Sequence, residues 1–205
     1  MTMTMTMKVL AALGAVLALG ATTARGADNS AALDLIRKEC SSCHGPRGIS
    51  VAPTFPNLAA QQAVYLETQL RAFRDRSRAD PHAQAFMWGM AAQLTDATIK
   101  DIAAYFAAQP PAPGTPADPA EVAAGKKIYE EGVPAQSIPA CQSCHRPNGE
   151  GNDVFPRLAG QHRRYLERQL EVFAANLRAN EIMHATAQTL TALQISQLAA
   201  FLSAH

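Results

Sequence analysis

The chain repeats itself. The stretch FPNLAAQQAVYLETQLRAF (Phe55–Phe73) recurs as FPRLAGQHRRYLERQLEVF (Phe155–Phe173), identical at 11 of 19 positions with a constant offset of 100. Upstream, CSSCH (Cys40–His44) recurs as CQSCH (Cys141–His145). Downstream, LTDATIKDIAAYF (Leu94–Phe106) recurs as LTALQISQLAAFL (Leu190–Leu202), at an offset of 96. Self-similarity on this scale means one structural unit used twice. Between the copies lies QPPAPGTPADP, with five prolines and a glycine, which disfavours helix and strand and reads as a linker over 109–119. The 205 residues therefore divide into an N-terminal domain over 27–108 and a C-terminal domain over 120–205.

Both domains are expected to be all-α. Alanine dominates the apolar residues, and β-branched and aromatic residues are sparse. Tyr65, Leu66, Gln69, Leu70 and Phe73 recur at helical spacing. Ile99, Ile102, Ala103 and Phe106 share one helix face, as do Ile195, Leu198, Ala199 and Leu202 in the second copy. Thr191 with Gln194 predicts a capping box. Thr95 is the matching N-cap, but Thr98 cannot complete the box.

Residues 1–26 read as an export signal. Lys8 is a short basic region, Val9–Ala21 is apolar, and small residues follow, with cleavage after Ala24, Gly26 or Ala27. The apolar run is short for a membrane span. Removing Lys8 and Arg25 leaves 16 basic and 17 acidic residues. That near-balance offers no basic field for nucleic acid and no acidic tail. The basic clusters Arg71–Arg78 and Gln161–Arg168 are expected to be solvated helix faces.

The four cysteines form two C-x-x-C pairs, each followed at once by histidine. Cys-x-x-Cys-His is the attachment motif for c-type haem. Two thiols one helical turn apart suit thioether bonds to the two vinyl groups of a porphyrin edge, and the adjacent imidazole then reaches iron. Cys40 and Cys43 would hold one haem, with His44 on its iron. Cys141 and Cys144 would hold the second, with His145 on its iron. A covalent, flat, apolar cofactor also supplies the core that domains this small lack. A thioredoxin-like site would need a strand–helix context that is not evident. Zinc knuckles normally lie far closer together than these two pairs.

A six-coordinate haem needs a second axial ligand, and thioether sulfur favours the ferrous state. Outside the signal region, the methionines are Met87, Met90 and Met183. Aligning Leu94–Thr95 with Leu190–Thr191 sets Met87 opposite Met183, whereas Met90 meets Thr186, which cannot replace it. Met87 and Met183 are the expected ligands, and Met90 reads as packing. His82, His162, His184 and His205 remain alternatives, with His184 the nearest rival because it adjoins Met183.

At these residues the chain resembles a known family. CSSCHGPRG with FPNLAAQ, and CQSCHRPNGEG with FPRLAGQ, are similar to the two halves of cytochromes c4, the di-haem class I c-type cytochromes. The resemblance covers nearly all of the mature chain. It implies two tandem class I cytochrome c domains, each wrapped around one covalently bound haem with His–Met ligation. It also implies that the carbonyls of Pro56 and Pro156 accept from the ligand histidines. Two features depart from the pattern. The first domain has no counterpart of AAGKKIY (Ala123–Tyr129), and the stretch from Arg178 to Met183 is four residues shorter than that from Arg78 to Met87.

The function so implied is a periplasmic electron carrier, not an enzyme, holding two haem c groups. It would work between a cytochrome bc-type complex and a haem–copper terminal oxidase, with peripheral membrane association left open. The competing reading is the electron-transfer subunit of a dehydrogenase such as flavocytochrome c sulfide dehydrogenase. A di-haem enzyme, for example a peroxidase or thiosulfate dehydrogenase, would need an open or replaced sixth ligand at one haem.

Overall fold

The computed structural model describes residues 30–205, and the expected export signal lies outside the described residues. Among the described residues there is helix but no multi-residue strand. Only two isolated β-bridges occur, Val133 with Ile138 and Asn152 with Phe155.

In the first domain α1 runs over 30–44 straight into the CxxCH motif, opening into a π-turn at Ile36–Cys40 and ending as Ser41–His44. Then come α2 (Ala63–Arg74), α3 (a π-turn at Ala83–Met87 followed by Trp88–Ala91) and α4 (Asp96–Ala107). The second domain has α5 (Pro119–Glu131), α6 (Gln142–His145), α7 (Arg163–Ala174), α8 (Glu181–Ala187) and α9 (Ala192–Ser203). The copies differ where the sequence departs from its repeat. In the second domain Gly132 ends α5 at φ 72°, and a short 3-10 turn over Pro134–Gln136 intervenes before the motif.

Helix ends follow local chemistry. Thr95 Oγ1 accepts from the Thr98 amide at 3.1 Å, and Thr191 with Gln194 forms a complete capping box. Asp118 caps α5, so Pro119 is its first helical residue rather than the end of the linker. The linker itself runs along the C-terminal end of the second domain, where the Thr115 amide donates to Ser203 at 2.7 Å.

Each core joins the first and last helices of its domain. Ala32 and Ile36 meet Ile102, Ala103 and Phe106 in the first domain. Ile128 and Tyr129 meet Leu198, Phe201 and Leu202 in the second. Gly125 permits the close crossing of α5 and α9, since a Cβ there would lie 1.9 Å from the Gln197 carbonyl oxygen.

The two domains are joined by a two-fold set of hydrogen bonds. Gln161 Oε1 accepts from the Asn57 amide at 2.8 Å, and its Nε2 donates to the Asn57 carbonyl at 2.9 Å. The equivalent pair, one repeat away, is Gln61 with Arg157, at 2.7 and 3.0 Å. Beside them lie two buried arginines. Arg78 donates to Gln69 and Gln169 at 2.8 and 3.0 Å, and Arg178 donates to the same two side-chain carbonyls at 2.8 and 2.6 Å. Arg178 also reaches the Tyr65 hydroxyl at 2.7 Å. The cluster Arg71–Arg78 is thus not wholly a solvated face. Arg74 remains near the surface on Asp96, but Arg78 is 8% exposed because the partner domain covers it.

The symmetry breaks at one buried carboxylate. Asp80, 1% exposed, pairs with Arg78 Nε at 3.0 Å and accepts from the Ala83 amide at 3.3 Å. Its counterpart Asn180 caps α8 without charge. Burial works to raise the Asp80 pKa, but Arg78 outweighs it and holds the carboxyl below its ordinary value of 3.8. Asp80→Asn should keep the cap and strand the Arg78 charge, costing about 3 kcal/mol at neutral pH. Because the folded pKa is lowered, this contribution is full above the ordinary pKa and is lost as pH falls through the folded value. Urea unfolding of the two proteins should therefore show a stability gap that closes in strong acid.

Candidate functional site

The helix turn that carries each motif sets its chemistry. Cys40 closes the π-turn of α1, and Cys43 and His44 follow on the last helical turn. In the second copy Cys141 caps α6, and Cys144 and His145 lie within it. None of the four cysteines forms a disulfide. Burial pushes the Cys40 and Cys141 thiols up to about 11.

Both motif histidines are buried, each 7% exposed. His44 Nδ1 lies 2.9 Å from the Pro56 carbonyl oxygen, and His145 Nδ1 lies 3.0 Å from that of Pro156. A carbonyl can only accept, so Nδ1 carries the proton and Nε2 keeps a free lone pair. Burial holds both imidazoles below their ordinary pKa, against the opposing pull of the proline carbonyl, and so favours the neutral form that can bind a metal. Each ring also meets a phenylalanine edge. Phe55 is 6.2 Å from His44, and Phe155 is 6.3 Å from His145.

The histidines and cysteines of both motifs open on one continuous cavity of about 950 Å³ that spans the two domains. Met87 and Met183 line it, and so does Met90. Met87 is the more enclosed of the first-domain pair. It packs against Phe73, Ala83 and Ala91, whereas Met90 is 44% exposed. The four extra residues of the first copy lie between Asp80 and Met87, in a helix that includes a π-turn at Ala83–Met87, while Asn180 fixes the Met183 amide at 2.9 Å in the second.

The rival histidines divide cleanly. His184 turns away from the cavity, with Nδ1 2.8 Å from the Phe173 carbonyl. His162 Nε2 is 3.0 Å from the Ser50 carbonyl across the domain interface, and His205 Nδ1 meets Phe201. His82 alone of the four lines the cavity, beside Phe86. Trp88 also faces elsewhere, since its indole N–H donates to the Arg78 carbonyl at 2.9 Å.

Paired thiols, a neutral imidazole with Nε2 free, a thioether and an apolar lining fit a covalently bound haem at each motif. Among the described residues, no group of three or more His, Cys, Asp or Glu side chains is placed to hold a bare metal ion. Sequence reasoning missed the cavity's arginines. Arg78, Arg157, Arg168 and Arg178 all line it, although Arg78 and Arg168 belong to clusters expected to be solvated.

The cytochrome c family matches residues 31–109 and 122–205. The chain is 40% identical to cytochrome c4 of Thiocapsa roseopersicina over 169 residues, covering 80% of this chain and 85% of that protein. The solved structure of Acidithiobacillus ferrooxidans cytochrome c4 superposes with a TM-score of 0.78 at 41% identity, covering 81% of this chain and 98% of that one. Thiosulfate dehydrogenase from Marichromatium purpuratum matches with a TM-score of 0.75 at 32% identity, over 85% of this chain but 40% of that one.

Thioether attachment makes a direct prediction. Acidified acetone, which extracts non-covalent haem, should leave the colour in the protein. The pyridine haemochrome should count two haems per chain. Replacing Cys40 and Cys43 together by alanine should halve that count, as should replacing Cys141 and Cys144.

Proposed function

The chain belongs to the cytochrome c family, as a di-haem electron-transfer protein of cytochrome c4 type, and on that premise we propose how its residues hold and serve the two haem c groups. Cys40 and Cys43 anchor one haem and Cys141 and Cys144 the other. His44 and Met87 would supply the protein ligands to the first iron, and His145 and Met183 those to the second. When bound, each group supplies one-electron chemistry between ferrous and ferric iron. The chain's own part is to bind, orient, enclose and tune.

The observation that carries the ligand assignment is the pairing across the repeat. Both imidazoles are fixed by equivalent proline carbonyls, and Met87 and Met183 open on the same cavity from equivalent positions. Pro56 and Pro156 keep the Nε2 lone pair directed, and they raise the basicity of each ligand. Phe55 and Phe155 shield the imidazoles from water. With an imidazole and a thioether both committed to it, each iron would keep no position for a substrate, which suits a carrier.

The setting follows the same reading. Residues 1–26 act as an export signal, and the mature protein works in the periplasm. Among the described residues no helix is long and apolar enough to cross a membrane. The partners are redox proteins: a cytochrome bc-type complex as donor and a haem–copper terminal oxidase as acceptor. A second reading is favoured by the likeness to part of thiosulfate dehydrogenase. In it the chain is the electron-transfer subunit of a dehydrogenase, and a catalytic subunit should then co-purify with it at fixed stoichiometry.

A visible redox titration tests the ligand set. The ferric protein should show the long-wavelength methionine–iron charge-transfer band. Met87→Ala and Met183→Ala should each remove about half of it. Met90→Leu should leave it whole. Loss of the band in Met90→Leu with retention in Met87→Ala would reverse the assignment in the first domain.

A further inference from the structure

The two segments that deliver a methionine begin differently. Asp80 stands at the start of the one that leads to Met87, and Asn180 at the start of the one that leads to Met183. Both side chains do the same capping work. Asp80 Oδ1 accepts from the Ala83 amide at 3.3 Å, and Asn180 Oδ1 accepts from the Met183 amide at 2.9 Å. Both residues line the cavity. They differ by one full negative charge, and that charge is buried.

No local task at Asp80 demands the charge. Asn180 shows that a neutral amide caps the segment equally well. The neighbouring arginine does not demand it either. Arg178, the counterpart of Arg78, is buried on Gln169, Gln69 and Tyr65, which are all neutral. Arg78 has the same two glutamines, and Asp80 comes in addition. Burial works against ionisation of Asp80, but Arg78, and behind it Arg178, hold the carboxyl below its ordinary value, so it is charged at neutral pH.

The asymmetry extends to the cavity wall. Among the described residues that line it, the only carboxylates are Glu39 and Asp80, and both belong to the first domain. Their counterparts Ala140 and Asn180 are neutral. Glu39 is exposed, so water and salt screen it. Asp80 has no such screening. It also lies on the Met87 side of the cavity, because Ala83, whose amide it holds, packs with Phe73 and Ala91 against Met87. Arg78 and Arg178 both reach Gln69 and Gln169 across the interface, so their charges are shared between the two halves. The Asp80 charge is not shared.

We infer that Asp80 is a potential-setting residue: its carboxylate stabilises the ferric state of the first-domain iron, lowers that iron's reduction potential, and biases an electron shared by the pair towards the second domain. The inference rests on each CxxCH motif holding its own haem and on Met87 serving the first. Oxidation adds one positive charge at the iron, and a nearby buried anion favours the more positive state. One aspartate in place of asparagine thus gives copied folds different electron affinities without changing the backbone around either methionine.

The test compares the mature protein with Asp80→Asn, Asn180→Asp and the double swap. Two haems per chain and a full methionine–iron band in the unsubstituted protein establish the reading beneath the inference, and potentiometry then tests the inference alone. Asp80→Asn should raise the first-domain wave by on the order of tenfold in the redox equilibrium constant, about 59 mV for one electron. The second-domain wave should rise by less. Asn180→Asp should lower the second-domain wave, and the double swap should do both. Met87→His, which exchanges thioether for imidazole, displaces the first-domain wave and so identifies it. Glu39→Gln should move that wave less, by an amount that fades at high salt, whereas the Asp80→Asn shift persists. A purely structural Asp80 would change the melting temperature and leave both potentials in place. Unmoved potentials in Asp80→Asn, a fall in place of a rise, or an equal shift of both waves would overturn the inference. Should Asp80→Asn not mature, Asn180→Asp decides, and an unmoved second-domain wave overturns it.

Discussion

The loop that follows each CxxCH motif ties the molecule together. Pro56 offers its carbonyl to His44, and the next residue, Asn57, bonds Gln161 of the other domain. Four residues on, Gln61 bonds Arg157, which itself follows Pro156, the acceptor for His145. One short segment, used twice, therefore orients the imidazole on its inner side and joins the domains on its outer side. Disturbing the domain interface would move the very carbonyls that hold the motif histidines. Second-shell groups of this kind set ligand orientation and basicity, so interface and cofactor site are mechanically one unit.

Duplication supplied the symmetry, and a few substitutions then differentiated the halves. Asp80 is charged where Asn180 is neutral, and both still cap the segment that delivers a methionine. The cap preserves the backbone while the charge changes the field around it. Arg78 and Arg178 form a crossed arrangement on Gln69 and Gln169, so each glutamine carbonyl accepts from both domains. Two like charges so close are tolerable because Asp80 offsets one and neutral acceptors surround both. The first helices differ more freely. A π-turn feeds Cys40 in one copy, while a glycine-terminated helix and a 3-10 turn approach Cys141 in the other.

Periodicity, caps and motif spacing were legible because they are local. The faces Ile99–Phe106 and Ile195–Leu202 lie in the cores, and Thr95 and Thr191 cap their helices. What sequence could not display was partnership across 100 residues. Gln61, Gln161 and Gln69 belong to no motif that marks a contact, yet their amides meet groups from the other repeat. Arg78 and Arg168 lay in basic runs, where solvation is the usual outcome. Burial came from the second domain, which no window along the first can contain. One signal was available: a buried interface between repeats should hold the same residue types in both copies, and Tyr65, Gln69, Arg78 and Gln61 each recur at an offset of 100.

That recurrence bears on how the domains move. A proline-rich linker would by itself permit independent motion, which is the default for tandem domains. Here the bonds between Asn57 and Gln161, and between Gln61 and Arg157, pair side-chain amides with backbone groups. Opening the interface would leave those backbone groups to water and would part Arg178 from Tyr65 and Gln69. The linker is itself committed, with Thr115 bonded to Ser203. The cavity lined from both domains is thus held at a fixed geometry, not assembled by chance encounters of two tethered units. For a carrier, that rigidity keeps reorganisation small, because neither half must be rearranged when an electron arrives or leaves.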